Sequence, residues 1–338
     1  MSAPALGRLV LLAFIAVALA PGTWLRTPPP PQNSAQVLRV TPIAFPARQW
    51  GALRLVGAWR LTSPNSHFGG FSALTMLDDG RLLAASDRGF MALLAPPGER
   101  AQAIEIQRYA RFNGTWSGLR DLEALTRDPV SGRLWTAYEQ VNRILRVERD
   151  YGHRVFVSPP AMQDWRADFG PESMVRLADG RFIVLAERSP QWFDRATPGL
   201  LFPGDAIDGA APVRFNVTAP GGYSPTDIAQ LADGRVLILM RAFELGLPPR
   251  FPCPIAIADP AAIRPGGDWR PTVLGRLVPP VPSDNYEGIA VVPDGAGSGA
   301  NVWLISDDNF SAFQRTLLLK LRWGPETTRA PGSAGRPG

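Results

Sequence analysis

The sequence is short of the residues on which much metal and covalent chemistry depends. Among its 338 residues are one cysteine, Cys253, one lysine, Lys320, and two histidines, His67 and His153. A single cysteine excludes an intrachain disulfide framework and any cysteine-built zinc site. Two histidines exclude a multi-histidine metal centre. Lys320 lies inside a late apolar run, so neither a Schiff-base lysine nor a P-loop lysine has a place. No internal run of eighteen or more apolar residues occurs, which excludes a multi-span membrane protein. Charged residues make up only 19% against 45% hydrophobic, the composition of a chain that buries a sizeable core.

The formal net charge of +5 is carried almost wholly by arginine, and Arg8, Arg26, Arg329 and Arg336 sit at the two ends. Between the ends, acids and bases nearly balance. A nucleic-acid binder would cluster its charge on one face, so no nucleic-acid partner is expected.

At the start, Arg8 precedes an apolar run over residues 9–20 and small-residue cleavage patterns near Ala18 and Ala20. Residues 1–26 therefore read as a signal peptide or an N-terminal anchor, and 27–36 as a proline-rich spacer. The expected location is periplasmic or secreted, with a membrane contact only where the N-terminus stays uncleaved. Residues 37–323 form the folded body, expected to be monomeric. The Gly/Pro/Arg-rich residues 324–338 read as a disordered tail.

The body repeats itself. Apolar strands flank Asp79-Gly80, Ser131-Gly132, Asp179-Gly180, Asp233-Gly234 and Asp294-Gly295. Asp-Gly between hydrophobic runs is a hairpin signal, because glycine accepts the positive φ that such turns need. Alignment of the units puts Ser72, Glu123, Glu172, Thr226 and Glu287 in one slot, about fifty residues apart. A hairpin per unit at that period predicts an all-β fold, a β-propeller of five four-stranded blades. Residues 53–61 are expected to complete the last blade from the N-terminal side. Residues 37–45 are left over, so six blades stay possible.

In a propeller the innermost strand of each blade runs along the axis, and its antiparallel partner ends beside its start. A second slot therefore meets the first at one mouth, holding Asp87, Glu139, Glu187, Arg241 and Asp307. So many acids about one axis repel unless something compensates. A hard cation such as Ca²⁺, with six to eight oxygen ligands, suits such a ring. Glu123, Glu287, Asp87, Glu139 and Asp307 are the candidate metal ligands. Glu172 and Glu187 are the candidate general bases, and Arg88, Arg188 and Arg241 the candidate anion-holding residues. The bland reading is that these polar residues lace blades together. His67 and Ser72 are weaker candidates for a base and a nucleophile. Cys253, between two prolines, reads as a buried structural thiol.

Several of these segments carry a family resemblance: FGGFSAL at 68–74, SDRG at 86–89, DLEAL at 121–125, GPESM at 170–174, NYEGIA at 285–290 and SDDNF at 306–310. Over about residues 68–321 the chain resembles the bacterial phytase-like family, "esterase-like activity of phytase". That resemblance implies a secreted or periplasmic propeller hydrolysing a small-molecule ester or phosphoester. The axial acids also look distantly like those of calcium-centred lactonase propellers. Ser72 and Thr226 depart from an all-acid slot, and Arg241 stands where an acid would fit a multi-metal site. A non-catalytic propeller binding a ligand or an envelope protein is the alternative.

Overall fold

The computed structural model describes residues 32–98, 104–108, 121–149, 154–188, 196–246, 250–295 and 299–324. The expected leader, the tail beyond Gly324, and the loop residues Arg120, His153, Trp116 and Trp192 lie outside them.

The repeat becomes five antiparallel sheets. The first blade holds β4 (Phe71–Met76), β5 (Leu82–Ser86), β6 (Phe90–Leu94) and β7 (Ile104–Arg108). The second holds β8 (Leu122–Arg127), β9 (Leu134–Tyr138), β10 (Arg143–Val147) and β11 (Arg154–Val157). The third holds β12 (Pro171–Arg176), β13 (Phe182–Ala186), β14 (Ala196–Phe202) and β15 (Val213–Thr218). The fourth holds β16 (Ser224–Gln230), β17 (Val236–Arg241), β18 (Cys253–Ala258) and β20 (Thr272–Leu277). The fifth is built on β21 (Asn285–Pro293), β22 (Ala300–Asp307) and β23 (Leu317–Trp323).

The fourth strand of that blade comes from the other end of the chain, for β3 (Leu53–Thr62) pairs antiparallel with β23. Residues 37–45 do not begin a sixth blade. They place β1 (Arg39–Pro42) on the outer edge of β3, while β2 (Gln49–Trp50) makes a short hairpin with it. The other departure from the repeat is β19 (Asp268–Trp269), a piece of the fourth blade's connection that pairs parallel with β15 of the third.

Local chemistry explains the hairpins. Gly80, Gly132, Gly180, Gly234 and Gly295 all take positive φ in their turns. At three of the turns the aspartate also accepts from the arginine two residues on: Asp79 from Arg81, Asp179 from Arg181, Asp233 from Arg235. Second strands such as β5, β9 and β13 are buried at every position, because each sheet packs on both faces.

The core is accordingly divided into five interblade layers. Tyr286, Leu304 and Leu319 of the fifth blade pack with Leu237, Leu239 and Ile255 of the fourth. Trp303, Ile305 and Leu318 pack with Leu74, Leu82 and Ala84 of the first. Further layers join the first blade to the second, the second to the third and the third to the fourth. The inner strands β4, β8, β12, β16 and β21 therefore stand in a ring, each against the next. Among the described residues no helix is long and apolar enough to cross a membrane.

Candidate metal centre at the axial mouth

The same irregularity recurs at the start of every inner strand. The register against the second strand shifts between Phe71 and Ala73, Leu122 and Ala124, Pro171 and Ser173, Pro225 and Asp227, and Tyr286 and Gly288. The residue skipped at each β-bulge is Ser72, Glu123, Glu172, Thr226 or Glu287, the five members of the first slot. A bulge re-aims the unpaired residue without breaking the ladder beyond it.

Second-slot residues reach the same place. Asp87, Glu139 and Glu187 donate their backbone N–H to the carbonyls of Gly70, Asp121 and Gly170 just ahead of the inner strands. Arg241 pairs with Ser224, and Asp307 with Asn285.

The converging side chains divide into two groups. Arg241 is central to the first. Its guanidinium binds Glu287 and lies 3.5 Å from Glu187 and 3.6 Å from Glu172, while Asn285 Oδ1 accepts from it at 3.0 Å. Asn285 in turn donates to Glu287 Oε1 at 2.8 Å. Burial disfavours the Arg241 charge, but Glu287, Glu172, Glu187 and Glu123 outweigh it and hold its pKa above the ordinary value. The second group is Asp121, Glu123 and Glu139. One carboxylate oxygen from each lies within 4.8 Å of the others. Among the described residues no cation forms an ion pair with any of the three. Asp121 accepts from Gln140 Nε2 at 2.9 Å and holds a left-handed backbone, φ 61°.

The electrostatics follow from that division. Burial, with Glu172, Glu287, Asp121 and Glu139 nearby, pushes the Glu123 carboxyl well above the usual range. Burial also lifts Glu139, with help from Glu187 and Asp121, to about 7, although the Gly170 N–H donates to its carboxylate. Gly170 can approach so closely because it has no side chain: a Cβ there would lie 2.6 Å from the Glu139 carbonyl oxygen. Glu172 is raised by burial against the opposing pull of Arg241. Asp307 is raised well by burial and by Glu287, and Asp87 by burial.

Glu123 and Glu139 therefore share the unpaired group with Asp121, a residue outside the two slots. Glu287 is engaged by Arg241 and Asn285. Asp307 accepts from the Asn309 N–H at 2.7 Å, and Asp87 from the Ser86 hydroxyl at 3.0 Å. Arg241 is turned inward onto carboxylates. Arg88 lies 3.2 Å above the Phe310 ring, and the exposed Arg188 lies 3.6 Å from Glu187. His67 stacks on Phe90 at 3.9 Å, and Cys253 is a buried free thiol.

Asp227, next to the bulge residue of the fourth blade, has a different task. Its carboxylate is fully buried and accepts from the amides of Ile228 at 2.8 Å, Ile289 at 2.8 Å and Leu74. One side chain thus joins the fourth, fifth and first blades.

Comparison with solved structures returns many matches of low identity. A gluconolactonase, XC5397 from Xanthomonas campestris, matches at 11% identity and TM-score 0.45, over 86% of this chain and 99% of its own. A luciferin-regenerating enzyme matches at 11% and 0.43, over 85% and 95%. A PQQ-bound aldose sugar dehydrogenase from Streptomyces coelicolor matches at 12% and 0.42, over 86% and 100%. The search of curated proteins gave no significant match. The family model described as "Phytase-like: Esterase-like activity of phytase" matches residues 66–310. With well over half of its length matched by that model, and with five such blades, the chain belongs to the phytase-like family.

Proposed function

We propose that this protein is an exported hydrolase of small-molecule esters or phosphoesters that works with Ca²⁺ at the axial mouth. One observation carries the reading: three half-buried carboxylates stand together with no cation paired to them among the described residues, beside three others that share Arg241. The donor set is all hard oxygen, with no imidazole or thiolate, which fits Ca²⁺ better than zinc or copper. Asp121, Glu123 and Glu139 would hold the ion, and an ion there supplies Lewis acidity toward the ester or phosphoryl oxygen.

The remaining groups have separate tasks. Glu187 is the better placed of the two candidate bases, because its side chain is 12% exposed against 5% for Glu172. Glu187 takes a proton from water as the water oxygen bonds to the reacting carbon or phosphorus. The bond to the leaving oxygen then breaks, and Glu187 gives the proton it took to that oxygen, so that an alcohol and an acid leave and the carboxylate is restored. Arg241 holds Glu172, Glu187 and Glu287 at fixed distances, so the base does not swing away. The family's description as esterase-like supports a hydrolytic reaction.

Millimolar Ca²⁺ is expected to raise the melting temperature by several degrees, by binding the folded state alone. Glu123→Gln should abolish most of that rise and lower hydrolysis of 4-nitrophenyl acetate or 4-nitrophenyl phosphate about 10- to 100-fold. Hydrolysis undiminished both by a chelator and by Glu123→Gln would overturn the proposal.

A further inference from the structure

A concavity opens at the same end of the ring as the acidic mouth, between loops of the fourth and fifth blades. It encloses about 390 Å³, a volume suited to a small organic group. Phe251, Pro252, Leu277, Val278, Pro279 and Phe313 form its apolar lining. Of the large hydrophobic residues exposed among the described residues, Val278 and Phe313 line this cavity. Phe243 and Leu245 sit on the adjoining loop, with Phe243 packed 5.6 Å from Phe251. Exposed apolar residues gathered at one concavity mark a binding site, whereas scattered ones do not.

Its charges cancel. Arg315 Nε donates to Asp284 Oδ2 at 3.2 Å. Glu244 and Arg250 face each other across a backbone bridge. The cavity therefore offers no net positive field to a phosphate. Asp284 in its wall is followed directly by Asn285, whose amide contacts both Glu287 and Arg241 of the acidic mouth. The cavity wall and the ring thus meet at the start of β21.

We infer that this cavity is the subsite for the apolar part, an aryl or compact acyl group, of a neutral carboxylic ester. The inference rests on the proposed hydrolysis and selects the ester over the phosphoester. Arg241 is already shared by three glutamates, and in the cavity itself two arginines, Arg250 and Arg315, are matched by two acids, Glu244 and Asp284, so its wall has no surplus positive charge to draw in a phosphate dianion. A neutral ester escapes the repulsion of the acidic ring and places its apolar end where Phe313 and Val278 lose contact with water.

The test has a binding arm and a kinetic arm. The binding arm measures 2-naphthol, a neutral aryl probe, against wild type, Phe313→Ala and Val278→Asp. The kinetic arm measures the ratio of kcat/KM for 2-naphthyl acetate to that for methyl acetate in the same three proteins. Both positions are partly exposed, and thermal melts establish that the variants fold. Each variant is expected to weaken 2-naphthol binding about tenfold and to lower the ratio by a similar factor. Equal 2-naphthol affinity in all three proteins, or no binding to wild type, overturns the subsite even where both esters are hydrolysed. Binding lost in the variants with neither ester hydrolysed supports the subsite and overturns the hydrolase reading.

Discussion

Replacing Asp227 with alanine should lower the melting temperature by about 10 °C or more. The carboxylate accepts three backbone N–H groups, those of Ile228, Ile289 and Leu74, in a place that water does not reach. A buried donor left without an acceptor costs roughly 1–3 kcal/mol, and here three are stranded together. The sum, about 3–9 kcal/mol, spans and passes the ~4 kcal/mol that marks an exceptional single substitution. At ~2–4 °C per kcal/mol for a domain of this size, the shift is large. Asp227→Asn should come close to the same loss, because its amide nitrogen opposes one of the N–H donors. Circular dichroism melts of both variants measure this. A shift of only two or three degrees in Asp227→Ala would mean that the three amides find other acceptors, and the interblade role would be wrong.

The metal-free protein should become more stable, not less, as pH falls from 8 to 5. Burial and mutual repulsion hold Glu123, Glu172 and Asp307 well above their ordinary values, and Glu139 at about 7. The folded state therefore binds protons more tightly than the unfolded chain does. These groups contribute their stability below the ordinary carboxylate range and lose it as pH rises toward and past neutrality. The turn aspartates Asp179 and Asp233 act in the other direction, because the hydrogen-bonding arginines Arg181 and Arg235 hold them below their ordinary values. Their stability is lost only when pH falls through their depressed values, so between 5 and 8 the acids of the ring, together with Asp227 that burial also raises, act against an opposing group, His67, which burial lowers. In a chelator, melting is expected at least about 5 °C higher at pH 5 than at pH 8. Ca²⁺ added at pH 8 should remove most of the difference. A melting temperature that falls steadily from pH 8 to pH 5 would show that the ring carries no such strain.

Much of this architecture could be read from local chemistry. Each hairpin announces itself through an Asp-Gly or Ser-Gly pair, because the turn needs a positive φ that few other residues accept. The recurrence of those pairs gave the blades and both slots. What could not be read depends on counting across strands or on side-chain direction. The bulges are invisible in one strand alone, since two residues oppose one only when the partner is present. Asp121 lies outside the two slots that the repeat defines, and with its left-handed backbone it stands beside Glu123 and Glu139. Arg241 reads as an arginine free to hold an anion, yet it reaches three glutamates of the two neighbouring blades. Residues 37–45 have the pattern of a strand but no hairpin partner of their own. They take the edge that β3 leaves open.

Because each first-slot side chain sits on the residue the ladder skips, it contributes no rung to its sheet. Ser72, Glu123, Glu172, Thr226 and Glu287 can in principle be exchanged in combination while every blade keeps its pairing. A library confined to these five codons would sample new reactivities on one backbone pairing, provided that an acid stays at Glu172 or Glu287 for the buried Arg241.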